Sequence, residues 1–113
     1  MLTIEALKEF GADTDEGVAR CFGNGDFYLS LVKTVPEEKK FDELKEAIEK
    51  GDLDLAFEHA HALKGVLANL SLSPIADPVI EMTESLRVRK KIDYMPLLEE
   101  TLKKKEELGR LCG

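Results

Sequence analysis

The chain has 113 residues, 43% of them hydrophobic and 35% charged, with 23 acidic against 16 basic side chains and a formal charge of −7. That length suits one hydrophobic core and is short for two, and the composition argues against disorder. The negative balance disfavours nucleic acid as a partner and leaves another protein as the expected one.

No apolar run approaches the roughly 20 residues that a membrane-spanning helix needs. Met1-Leu2-Thr3-Ile4-Glu5 has neither the basic start nor the apolar core of a signal peptide, so a cytoplasmic protein without membrane contact is expected. Cys21 and Cys112 lie far apart and form no metal-like pair, which favours reduced structural thiols over a disulfide.

Leu, Glu, Lys and Ala dominate, β-branched residues are scattered, and no stretch alternates apolar with polar for long. An all-α fold follows. Thr3 suits the cap of a short helix carrying Ile4, Leu7 and Phe10, which Gly11 ends, and a second short segment follows Asp13. Asp26 is the expected cap of a helix with Phe27, Tyr28, Leu31 and Val32 on one stripe, interrupted with a kink or restart at Pro36. From Glu37 to Lys50 the stripe is Phe41, Leu44 and Ile48, and Gly51-Asp52 makes the turn and the next cap.

The segment from Asp52 to Leu70 has the cleanest pattern, with Leu53, Ala56, Ala60, Leu63, Leu67 and Leu70 in steps of three and four; it is predicted to be the central helix. Ser73 and Pro74 suit the cap and first position of the next helix, with Ile75, Val79, Met82 and Leu86 inward and Asp77-Pro78 as a second possible start. Asp93 is the expected cap of the last helix, which tolerates Pro96 in its first turn and turns Leu98, Leu102, Leu108 and Leu111 inward. Short connections make these helices antiparallel neighbours. The expectation is an antiparallel four-helix bundle with additional short N-terminal helical segments, one free-standing monomeric domain over residues 1–113. The Lys103-Lys104-Lys105 run reads as a solvated helix face.

The chemistry concentrates in Ala60-His61-Ala62-Leu63-Lys64-Gly65. A helix turns by about 100° per residue, which leaves His61 on the flank of the core stripe and partly exposed. Gly65 stands one turn later although a glycine inside a helix costs about 1 kcal/mol relative to alanine. Its benefit is space, which lets another protein bring a phosphoryl group to the imidazole. Lys64 shares that neighbourhood, where its ammonium can neutralise phosphate oxygens. Phe57, Glu58, Ala62 and Ala68 surround the position and are candidates for contacting a partner, although Ala68 and Asn69 also suit local packing. A neutral imidazole is a competent nucleophile near neutral pH, and the phosphoramidate it forms is reactive enough to pass its group on. No serine elbow, phosphate loop or glycine-rich nucleotide motif is present, so ATP and other cofactors are not expected and the phosphoryl group must come from outside.

This segment, continuing through Ala68, Asn69 and Leu70, resembles the Ala-His-x-Leu-Lys-Gly signature of the histidine-containing phosphotransfer (HPt) domains, and the helix order around it fits that family along the whole chain. The resemblance implies a phosphorelay carrier rather than an enzyme, with His61 as phosphoacceptor, Lys64 stabilising the phosphoryl group and Gly65 giving clearance. It implies as partners the receiver domain of a response regulator, a histidine kinase, or both, with Mg²⁺ on the receiver only. Val66 departs from the family, which often has a small residue there, and Ser71 stands where glycine is frequent. Where many members place a glutamine that orients the histidine, this chain offers Thr83 and Glu84.

Three other readings compete. His59 and His61 suggest a metal pair, but residues two apart on a helix point to nearly opposite sides, so no metal site is expected. A helical adaptor or inhibitor that docks on a signalling kinase or receiver without carrying phosphate is the rival function, against which an intact His61 argues. A metal-dependent helical enzyme would need repeated Glu-x-x-His pairs, which the chain lacks.

Overall fold

The computed structural model describes all 113 residues and is all-helical: α1 (Ile4–Phe10), α2 (Thr14–Arg20), α3 (Gly25–Val32), a 3-10 turn (Val35–Glu37), α4 (Lys40–Lys50), α5 (Leu53–Asn69), α6 (Ser73–Arg87) and α7 (Met95–Cys112). Most helix ends follow from local chemistry. Thr3, Asp13 and Asp52 each accept a hydrogen bond from the backbone N–H three residues on, at 3.0, 3.1 and 3.1 Å, which satisfies donors that have no partner inside the helix. Gly11 and Gly51 end α1 and α4 in the left-handed region, at φ 110° and 74°, where a side chain is costly.

Four boundaries differ from the sequence expectation. Asn24, not Asp26, caps α3, its Oδ1 accepting from the Phe27 N–H at 3.0 Å; Asp26 then lies in the first turn, where its charge still suits the helix dipole. Pro36 occupies the 3-10 turn, so the helix expected from Glu37 restarts only at Lys40. Leu72 is the cap of α6 and Ser73 its first residue, and the helix runs unbroken past Pro78, so Asp77-Pro78 starts nothing. Pro78 lies near the N-terminal end, where one forfeited hydrogen bond is offset by burial of Pro78 itself and of its neighbours Ile75, Ala76, Val79 and Met82. At α7 the cap position belongs to Tyr94, while the Asp93 carboxylate accepts from the Met95 N–H at 3.0 Å.

α5 packs against both α4 and α6, α6 against α7, and α7 also meets α4. The shared core runs from Leu2 and Leu7 to Leu108 and takes Ala56, Ala60, Leu63 and Leu67 from α5, the stripe that its three-and-four spacing predicts. Each fully buried leucine contributes roughly 1.5–3 kcal/mol. In α7, Leu98 and Leu108 are buried, whereas Leu102 and Leu111 are only partly so. Lys105 is not simply a solvated charge, because its ammonium lies 5.6 Å from the centre of the buried Phe41 ring. Cys21 is buried and Cys112 partly buried, both as free thiols, and burial pushes the Cys112 thiol up from its ordinary pKa.

The N-terminal helices are tied to the end of α5. The Tyr28 hydroxyl donates to the Leu70 carbonyl at 2.8 Å, the Asp13 N–H donates to the Ser71 carbonyl at 3.0 Å, and Arg20 donates to the Ala68 carbonyl at 3.3 Å. Gly17 makes room for the Tyr28 ring, which a Cβ would strike. Burial, with Cys21 and Asp13 adding repulsion against a phenolate, pushes the Tyr28 phenol up to about 12. Ser71 sits in the left-handed region at φ 54°, which explains physically why glycine would suit that position. No helix is long and apolar enough to cross a membrane.

Candidate functional site

α5 carries His61, Lys64 and Gly65 on the flank of its buried stripe, as the spacing predicts. His61 and Gly65 are exposed, and Lys64 is half-buried. A Cβ built on Gly65 meets nothing within 4 Å, so the surface one turn from the imidazole is open. His59 points elsewhere, its Nε2 lying 3.4 Å from the Glu43 carboxylate on α4. The two histidines therefore have different surroundings, as their two-residue separation requires.

The neighbour of the His61 ring is Phe57, one turn earlier, stacked with centroids 5.5 Å apart and planes at 28°. Two guanidinium groups lie on the same phenyl ring, Arg87 at the end of α6 at 5.3 Å and Arg89 just beyond it at 4.9 Å from its centroid. Neither Thr83 nor Glu84 takes the orienting role that the sequence left open. Thr83 is fully buried and its hydroxyl donates to the Val79 carbonyl of its own helix at 2.6 Å. Glu84 instead lies 3.8 Å from the Lys64 ammonium and 3.3 Å from Arg87. The ring that stacks on the imidazole is that of Phe57.

Lys64, Arg87 and Arg89 thus gather around the His61–Phe57 pair, balanced by Glu84 and by Asp54, whose carboxylate accepts from Arg89 Nε at 2.6 Å. Counting the exposed Glu58 as well, three cations meet three carboxylates around this pair. Glu58 is exposed and Ala62 half-buried on the same helix, so both border the open side. Ala68 lies further down α5, where Arg20 reaches across to its carbonyl; it meets the N-terminal helices as well as the exposed face. The sequence expectation missed Arg87, Arg89 and Asp54. A usable signal was present, since Arg87-Val88-Arg89-Lys90-Lys91 places four cations in five residues of a chain with net charge −7.

The arrangement offers an accessible imidazole, an open approach beside it and a lysine three residues on along the same helix flank. Residues 32–111 match the Hpt domain family, a span from the last residue of α3 almost to the end of α7 that includes His61, Lys64 and Gly65. No curated protein and no solved structure matches the chain significantly. The chain belongs to the Hpt domain family.

Proposed function

We propose that this protein is a phosphorelay carrier that accepts a phosphoryl group on His61 and exchanges it with the aspartate of a response-regulator receiver domain, with a histidine kinase as a further source. The observation that carries the reading is the joint placement of an exposed His61, a neighbouring Lys64 and an open Gly65 on one face of α5. In the transfer, the lone pair of an imidazole nitrogen attacks phosphorus. An N–P bond forms as the P–O bond to the aspartate breaks, and the carboxylate leaves with the bonding electrons. Phe57 holds the ring for this attack, and Lys64 neutralises charge on the phosphoryl oxygens, exchanging its Glu84 partner for them. Mg²⁺ belongs to the receiver, and the chain needs no nucleotide site of its own. On this reading the four long helices α4 to α7 form the family's antiparallel four-helix bundle, and the chain acts in the cytoplasm as a single, monomeric domain.

The test is incubation with a receiver domain phosphorylated by acetyl phosphate, followed by measurement of acid-labile phosphate on the chain. His61→Gln should abolish uptake and leave the fold intact, because an exposed side chain contributes little to the core. His59→Gln should retain uptake. Undiminished labelling of His61→Gln would refute the assignment and favour a docking protein that carries no phosphate.

A further inference from the structure

We propose that the segment Arg87–Ile92, the last residue of α6 and the loop that leads on toward α7, is an electrostatic docking element for the acidic surface around the receiver's phosphoacceptor carboxylate; this rests on the phosphorelay reading. The loop is one aromatic ring away from His61, because Arg87 and Arg89 lie on the Phe57 ring that stacks on the imidazole. Its cations fall into two groups. Arg87 and Arg89 are tied to Glu84 and Asp54, whereas Lys90 and Lys91 are exposed and form no ion pair within the chain. The tied pair builds the platform and the free pair presents charge.

The loop is fixed in place. Arg89 takes a left-handed conformation at φ 53°, and its guanidinium donates to Asp54 at 2.6 Å and to the Leu86 carbonyl at 2.6 Å. The Lys90 N–H donates to the Ser85 carbonyl at 3.0 Å, and the Lys90 carbonyl accepts from the hydroxyl of Tyr94, which is 4% exposed. A bulky residue held at positive φ is uncommon, and here three elements over-determine it. Val88 is 71% exposed and Ile92 40% exposed on the same loop, supplying apolar contact beside the charges. A carboxylate that accepts phosphate while holding a divalent cation sits in an acidic surface, so its approach to His61 brings negative charge toward Lys90 and Lys91. Such rim charges act on encounter rate and are screened over a Debye length of about 8 Å at physiological salt. The net charge of −7 disfavours nucleic acid as the occupant.

The experiment compares the parent chain with the double variant Lys90→Glu/Lys91→Glu, neither residue of which touches His61. Two donors are used: phosphoramidate, which has no protein surface, and a receiver domain phosphorylated with acetyl phosphate that labels the parent. The variant should be labelled by phosphoramidate at the parent rate. With the receiver its kcat/KM should fall roughly tenfold at low salt through KM, and the gap should close at about 0.5 M NaCl. Equal kcat/KM for both proteins at low salt would overturn the proposal. So would a deficit that persists at high salt, or binding of duplex DNA by the parent that the variant loses. Failure of phosphoramidate to label His61 in the parent would instead refute the phosphorelay reading beneath it.

Discussion

Gly65 is where stability and function should separate. Its position lies inside α5, is exposed, and has nothing within 4 Å of an added Cβ. Gly65→Ala therefore adds helix propensity without a clash, a gain of about 1 kcal/mol, which for a domain of this size raises Tm by roughly 4 °C. The same methyl group stands one turn from the His61 imidazole, on the side left open for the donor. If the partner must close over this surface, a contact costing about 1 kcal/mol in the transfer complex slows transfer roughly fivefold, and Gly65→Leu slows it more. Thermal unfolding followed by circular dichroism gives the first quantity, and single-turnover transfer from a phosphorylated receiver gives the second. The expected signature is a protein that melts higher yet accepts phosphate more slowly. Parent-rate transfer by Gly65→Leu would remove the access argument, and a lower Tm for Gly65→Ala would contradict the open surface itself.

Lys64→Ala should slow transfer roughly fivefold, the effect of losing one unit charge near the phosphoryl oxygens at about 1 kcal/mol, with little change in Tm because the lysine is part-exposed and paired only to the exposed Glu84; rates identical to the parent at several salt concentrations would eliminate its electrostatic role. Ser71→Gly should stabilise the fold by about 1 kcal/mol, since glycine relieves a left-handed penalty of roughly 1–2 kcal/mol and the buried serine hydroxyl has no hydrogen-bond partner. Urea midpoints measure this, and an unchanged or lower midpoint would show that the Ser71 backbone carries no strain.

The local features were legible because their causes are local. His61, Lys64 and Gly65 are three and four residues apart, so helix geometry alone puts them on one flank, and the apolar stripe of α5 fixes which flank faces out. Caps at Thr3 and Asp52, and the start of a short segment after Asp13, were readable for the same reason: each of the three side chains bonds a backbone N–H only three residues away. The cap of α3, Asn24 where Asp26 was expected, and the choice between Ser73-Pro74 and Asp77-Pro78 as the start of α6 arose where nearby residues offer similar local chemistry and packing makes the choice. The surroundings of His61 were decided by tertiary structure. Arg87 and Arg89 are some thirty residues from Phe57 in sequence and reach its ring only because α6 packs on α5 and the following loop folds back to Asp54. Whether Thr83 or Glu84 would face the imidazole depended on the rotation of α6, and burial of Thr83 turned that side chain into the core and left Glu84 outside with Lys64. Sequence periodicity specifies which face of each helix is buried, but the rotation and register of one helix against another come from side-chain packing between distant segments, and that packing built the charged rim of the site.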